Sequence, residues 1–380
     1  MTETELKSSA LDLIYLARCA VDSVKPDPEK CSNMDLDKLA AVAGFHAMQS
    51  IAGYALSDIV ELPKVFDHAM KKNIRKLVLY DIERAEIFRV FDERGIRYLP
   101  LKGIIISSLY PKRAMREMAD NDILCDNTRM DEIRDIMESF GYNCEAYSEE
   151  ISHDVYTKSP ALEFEMHRAL FVKGDSALLS AYYADITDRL IKDDDNTCGY
   201  HMTDEDMYLY MLCHIYKHYS HAGTGLRSLL DVYLFIRRYY DSLDKDYLTA
   251  QLTELSLISF ESMIRQLAVK VFAGEQLSKN ESSVLDYLIE SGCNGTEDHA
   301  FENRITNALN DETVAGSKRR YIFKRVFVSG DELKERYPVV YKHRALYPIL
   351  ALYRPIKGLF THPELIVRET KFIKNHKKGS

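Results

Sequence analysis

An α+β fold, with a small mixed sheet between a shorter and a larger helical module, is predicted by three features of this 380-residue chain. Apolar residues recur at helical spacing at both ends. Four strand-like segments cluster between residues 96 and 167. From about residue 174 the pattern returns to helical spacing and stays there. The expected organisation is an N-terminal helical module (1–71), an α+β core (72–173) and a C-terminal helical domain (174–380).

The first module rests on Leu11, Ile14, Tyr15 and Cys19, then on Leu36, Leu39, Val42 and Ala43, all at helical spacing. Residues 23–35, with two prolines and several cap-type residues, read as the loop between them. Pro63 precedes a long helical pattern over 66–94, with Gly95 placed as its C-cap. Residues 96–101 form a short strand whose Pro100 indicates a sheet edge. Lys102 and Gly103 turn the chain into a helix read as starting at the glycine, and Pro111 closes it. A basic loop, KRAMREM, leads to a strand over 119–125. There Asp120, Asp122 and Leu124 share one face, and Asn121, Ile123 and Cys125 the other.

Asp126, Asn127 and Thr128 start the next helix, whose stripe is Met130, Ile133, Ile136, Met137 and Phe140. Gly141 ends it. SHDVYTK and ALEFEMH are two strands joined by a Ser159-Pro160 turn. In the second, Leu162, Phe164 and Met166 alternate with Glu163, Glu165 and His167. Further helices are expected over 177–192, from an N-cap at Thr203 to about 220, through GTGLRSLLDVYLFIRRYY, and over 245–255, 257–273 and 282–290. The chain closes on a proline- and aromatic-containing segment and a basic tail.

Composition narrows the function classes. Hydrophobic residues make up 46% and charged residues 29% of the chain, which fits a globular protein and excludes a disordered one. A formal net charge of −9 argues against long nucleic acid as the partner, since such binders carry a basic field. No run of eighteen apolar residues exists, so no membrane partner is expected. The N-terminal MTETELKSSALDL lacks a signal-peptide layout, which predicts a cytoplasmic protein. The seven cysteines are scattered without a C-x-x-C pair, so neither a disulfide framework nor a cysteine zinc site is supported.

The chemistry concentrates around two aspartates. Asp120 and Asp122, alternate residues of a strand, have Cα atoms roughly 6–7 Å apart on one face. Converging carboxylates repel unless cations or protons compensate, and a divalent metal carrying a nucleotide phosphate is such a compensator. Glu163 or Glu165 can add a third carboxylate if the two acidic strands are neighbours. Two Mg²⁺ ions about 4 Å apart need several such oxygens. Gly103 leaves room for phosphate at backbone N–H groups, and Lys102, Lys112, Arg113 and Arg116 can supply cationic contacts. Taken singly, each feature has a plainer reading as a solvated acidic face, a turn or a basic loop. Their order along the chain makes coincidence less plausible.

The pattern LKG…LYP…R…D-x-D-x-L, followed about forty residues later by an acidic residue two before a histidine, resembles the uncharacterised nucleotidyltransferases of the polymerase-beta-like superfamily. The similarity extends through the N-terminal helices and the H-x-x-K-H…L-R-x-L-x-D segment, most of the chain. Lys102 and Gly103 stand where Gly-Ser is usual, Asn121 replaces an apolar residue, and Glu165 stands where aspartate is usual. The resemblance implies Asp120, Asp122 and Glu165 as catalytic, metal-binding carboxylates for Mg²⁺ in a two-metal site. It implies Lys102, Gly103 and Arg116 as nucleotide-binding residues, with an NTP, ATP first, as donor. Its acceptor would be a small molecule or protein hydroxyl. His167, His214, Lys217 and Arg227 are the further substrate-contact candidates.

His214 and His218, four apart on a helix, have the spacing of a zinc pair but lack H-E-x-x-H and an evident third ligand. Arg227 and Asp231 have the spacing of an intrahelical ion pair. Two other classes fit the same residues: a nucleotide-binding sensor without catalysis, and a helical interaction protein with exposed acidic strands.

Overall fold

The computed structural model describes residues 1–310 except 149–151 and 195, together with 338–343, 346–348, 350–351 and 353. Contacts divide the chain into one compact unit, Met1–Gly295, and a second, Thr296–Ser380. Among its described residues the second unit holds the helices Glu297–Asn310 and Pro338–Lys342. The basic tail and its lysines lie outside the described residues.

The first unit begins with four helices, α1 (Glu3–Val21), α2 (Pro28–Ser32), α3 (Leu36–Phe45) and α4 (Gln49–Leu56). Thr2 and Glu5 form a capping box that starts α1. α2 lies inside the segment expected to be all loop, because Asp27 caps it and Pro28 occupies its first turn. Leu11, expected in the buried stripe, is instead 47% exposed. Leu13, Leu16 and Ala17 are buried in its place, since α1 packs against α3, α4 and α12 (Ile258–Ala273) and buries more than one narrow stripe.

α5 (Lys64–Arg94) ends at Gly95, whose φ of +68° is a left-handed cap open to glycine without a Cβ penalty. The sheet follows: β1 (Tyr98–Pro100), β2 (Asn121–Cys125), β3 (Asn143–Ala146), β4 (His153–Lys158) and β5 (Leu162–His167), in the order β1-β2-β5-β4-β3. β2 and β5 are parallel and the other neighbours antiparallel. Pro100 does sit on the edge strand. β3 was not anticipated: its residues have little strand propensity, and the free edge of β4 supplies the hydrogen bonds that hold it.

α6 (Gly103–Ile106) lies between β1 and β2, and α7 (Met130–Ser139) follows β2. One face of the sheet packs on α5 and α7 through Tyr80, Ile87, Phe91, Ile123, Ile133 and Phe164. Full burial of each such side chain is worth about 1.5–3 kcal/mol. Leu99, Leu101 and Leu124, on the other face, join a larger core with the N-terminal helices and α9 (Asp204–His221), α10 (Leu226–Tyr239), α11 (Lys245–Glu254), α12 and α13 (Lys279–Ser291). Thr203 caps α9 as expected.

The helix expected over 177–192 is shorter. α8 covers Ala177–Tyr182, a 3₁₀ turn covers Ile186–Arg189, and Ile191–Lys192 pairs with Tyr200–His201 in a small sheet. The reason is tertiary. Tyr98 N–H donates to the Cys198 carbonyl at 3.1 Å, and Cys198 N–H donates to Asp92 Oδ1 at 2.6 Å. The segment is drawn out to cover the exposed edge of β1.

Candidate active site

α5 fixes the entry to both acidic strands. Lys76 Nζ and the Tyr80 hydroxyl donate to the Ala119 carbonyl at 2.6 and 3.0 Å, and Tyr80 also bonds the Glu163 backbone. Asn121, fully buried, accepts from Arg84 at 2.7 Å on the α5 face. With Asn121 held there, Asp120 and Asp122 project from the opposite face, as the alternation predicts. The parallel register then sets Asp122 opposite Glu165.

These three acids line one cavity of about 280 Å³, with Lys102, Gly103 and Arg116 on one side and residues of α9 and α10 on the other. Glu163, two residues earlier on β5, is absent from its wall. Asp122 is 3% exposed and accepts from Lys102 Nζ at 2.5 Å and pairs with His167 Nε2 at 2.9 Å. Burial opposes its charge, but Lys102 and His167 outweigh that and hold its carboxyl well below the usual range. Asp120 has the opposite fate: burial, then the charges of Asp122 and Glu165, push it up to about 6. One aspartate is kept ionised and its neighbour sits near its titration point.

His167 is buried, with Nε2 also 3.4 Å from Glu165 Oε2. Burial disfavours the imidazolium, yet the hydrogen bonds to Asp122 and Glu165 raise its pKa above the ordinary value. Its Nδ1 is buried without a hydrogen-bond partner among the described residues. His153, which sequence reasoning missed, stands opposite His167 in the β4–β5 register, with Nε2 3.6 Å from Glu165 Oε1. Only the strand pairing reveals it, since a lone histidine at the start of a strand carries no signal.

Lys102 has a φ of +44°, an uncommon left-handed conformation for a residue with a side chain. It turns the chain from β1 into α6 while aiming the ammonium at Asp122. A Cβ on Gly103 would lie 2.5 Å from Arg116 Nη1, so the glycine leaves space that the guanidinium takes. The other edge of Arg116 is committed: Nε and Nη2 meet the two oxygens of Asp231 at 3.0 and 2.8 Å, and Asp231 also accepts from the Tyr110 hydroxyl at 2.7 Å. The Arg227–Asp231 pair expected from spacing does not form; Asp231 turns to Arg116 instead because the buried guanidinium needs a counter-charge. Arg227 donates to the Glu117 carbonyl at 3.0 Å, while its Nε is buried without a partner among the described residues.

Lys217, His214 and His218 reach the cavity from α9. Lys217 pairs with Asp175 at 2.9 Å. His214 and His218 contact each other at 3.2 Å. Burial, reinforced by Lys217, lowers His218 to about 4, and burial with Lys102 and His218 holds His214 well below its ordinary value. Both rings are neutral at pH 7. Lys112 and Arg113 do not line this cavity. Lys112 lies over the Tyr54 ring and Arg113 pairs with Asp81, because the loop turns outward before Met115 is buried.

The donor set suits a divalent cation. Three carboxylates line the cavity, Asp120 is pushed toward protonation by burial and by the other two, and an ammonium and an imidazole already stand against Asp122. Oxygen-rich sites of this kind fit Mg²⁺ or Mn²⁺. Among the described residues, the one group of three His, Cys, Asp or Glu side chains with converging ligand atoms is His153, Glu165 and His167, and the His214–His218 pair is not part of it.

A family model described as an uncharacterised nucleotidyltransferase matches residues 32–273, well over half of the chain. No curated protein and no solved structure matches. No helix among the described residues is long and apolar enough to cross a membrane.

Proposed function

We propose, from the premise that this chain belongs to the family of uncharacterised nucleotidyltransferases, that it moves a nucleoside monophosphate from an NTP to a hydroxyl acceptor and releases pyrophosphate. The carrying observation is that Asp120, Asp122 and Glu165 line one cavity with Lys102 and Gly103, Glu165 standing opposite Asp122 in the parallel register. ATP is the first candidate donor, and a small molecule or a protein side chain the acceptor.

Mg²⁺ held by Asp120, Asp122 and Glu165 would neutralise charge developing on the transferred phosphoryl group. Lys102, released from Asp122 when a cation takes that carboxylate, would turn its ammonium to the triphosphate. Arg116, anchored at one edge by Asp231, would present to a phosphate oxygen the Nη1 that fills the space beside Gly103. Asp120, pushed up to about 6 by burial and its acidic neighbours, would give up its proton as the cation takes its place. Lys217, Arg227 and the neutral imidazoles of His214 and His218 would face the acceptor or the nucleoside from the helical side.

The test is calorimetry with each NTP and Mg²⁺, then pyrophosphate release across a panel of acceptors. Mg-dependent binding that disappears in Asp120→Ala and Asp122→Ala supports the reading, and binding undiminished in both sinks it. A second reading, a nucleotide sensor without transfer, is favoured by the Lys102–Asp122 pair, which already neutralises one of the key carboxylates. It predicts NTP binding with no pyrophosphate released for any acceptor.

A further inference from the structure

We propose that His153, Glu165 and His167 form a separate metal subsite, selective for a borderline dication of the Zn²⁺ or Co²⁺ class over Mg²⁺. The inference shares Glu165 with the reading above but rests on the two imidazoles, which that reading leaves without a metal role.

The ligand atoms of the three side chains all lie within 4.8 Å of one another. Glu165 Oε2 is 3.4 Å from His167 Nε2, and Glu165 Oε1 is 3.6 Å from His153 Nε2. Two ligands each about 2.0–2.1 Å from one tetrahedral Zn²⁺ stand roughly 3.3 Å apart, so the two Glu165 separations need little adjustment, while the widest, at up to 4.8 Å, must close as the ion binds. The positions are set by backbone: His153 faces His167 across the β4–β5 ladder, and Val155 faces Glu165 two residues on. Sites carried on paired strands keep their geometry better than sites on loops.

The remaining chemistry agrees. The Nδ1 of His153 lies 3.0 Å from the Ser152 hydroxyl, a contact that orients the ring and leaves Nε2 aimed at Glu165. Asp122 Oδ1, 2.9 Å from His167 Nε2, is close enough to serve as a further oxygen ligand, and the proton that the imidazole gives up on metal binding leaves to solvent. Two imidazoles with one carboxylate, and a position left open to the cavity, make the donor set of a catalytic zinc site. Imidazole nitrogen favours Zn²⁺ and Co²⁺, while Mg²⁺ prefers oxygen alone. His153, partly exposed and lining the cavity, gives the ion a path in.

The experiment titrates the metal-free full chain with Co²⁺ and follows its visible d–d absorption, with and without excess Mg²⁺. One equivalent should bind with a nitrogen–oxygen spectrum and no thiolate charge-transfer band, which separates the site from the seven cysteines. Zn²⁺ should displace it and Mg²⁺ should not. His153→Ala and His153→Gln, checked for unchanged melting, should each weaken Co²⁺ binding about 10- to 100-fold, while His201→Ala, outside the cavity, changes it by less than about twofold. Absence of Co²⁺ binding, displacement by Mg²⁺, or full affinity in the two folded His153 variants overturns the subsite. Loss of the subsite with Mg-dependent NTP binding intact leaves the proposed function standing. Co²⁺ binding without any Mg-dependent NTP binding does the reverse.

Discussion

The ammonium of Lys102 lies 2.5 Å from Asp122 Oδ1, in the place where a cation would neutralise the most buried carboxylate of the site. The pair explains why Asp122 stays ionised in a pocket only 3% open at that residue. It also makes the two aspartates unequal, and the first prediction follows from that inequality.

Asp120→Asn should raise stability at pH 8 by about 1–2 kcal/mol, because it removes a carboxylate held ionised against burial and two like charges. Asp122→Asn should lower stability by about 3 kcal/mol, because it strips Lys102 and His167 of their shared counter-charge. Both should abolish Mg-dependent nucleotide binding. Chemical denaturation beside calorimetry separates the two effects; equal stability changes would contradict the asymmetry.

Nucleotide binding with Mg²⁺ should strengthen as pH rises through about 6, where Asp120 loses its proton, and level off above 7. The stability term runs the other way. A carboxyl raised above its ordinary 3.8 favours the folded state while protonated, so this contribution is lost as pH climbs from about 4 to 6. In Asp120→Asn both dependences should flatten, as read by titration calorimetry and melting across pH 5–8.

Asp231→Ala should cost about 3–5 kcal/mol, since Arg116 would remain buried and charged without its bidentate partner. Arg116→Met with Asp231→Leu should recover much of that loss, because the pair is then replaced by apolar contacts. Urea unfolding of the three variants is the measurement. A double variant as unstable as Asp231→Ala would refute the ion-pair account.

Gly103→Ala should displace Arg116, whose Nη1 lies 2.5 Å from the added carbon, and destabilise by about 1–3 kcal/mol, an overpacking cost. Thermal melting beside the unsubstituted protein reads the effect.

Acidification should unfold the protein early. His46 and His218 have folded pKa values of about 4, and His214 is also strongly depressed, each chiefly by burial. The folded state holds these rings neutral while the unfolded chain protonates them below about 6.5, so their contribution is whole above that pH and falls away toward 4. Between pH 7.5 and 5 the loss should be about 2 kcal/mol each for His46 and His218. Phe in place of His46, tested by melting at both pH values, should reduce the difference.

Local pattern alone determined much of this protein. The 3.6-residue spacing places α3, α5, α7 and α9 to α13 within a few residues, and alternation along β2 and β5 fixes which acids share a face. Side-chain period and caps are properties of neighbouring residues, so they can be read without a fold. Asp120 and Asp122 are legible as acids of one face for the same reason, whereas alternation leaves Glu163 and Glu165 equivalent and only the β2–β5 register sets Glu165 opposite Asp122. Tertiary structure decided the rest. The strand β3, the extended segment at Cys198 and the role of His153 depend on which strand edge lies beside which segment. The partner of Asp231 is Arg116, over a hundred residues away, and not Arg227 one helical turn away. A buried charge takes the counter-charge that packing brings to it. Sequence spacing offers Arg227, whereas the fold delivers Arg116.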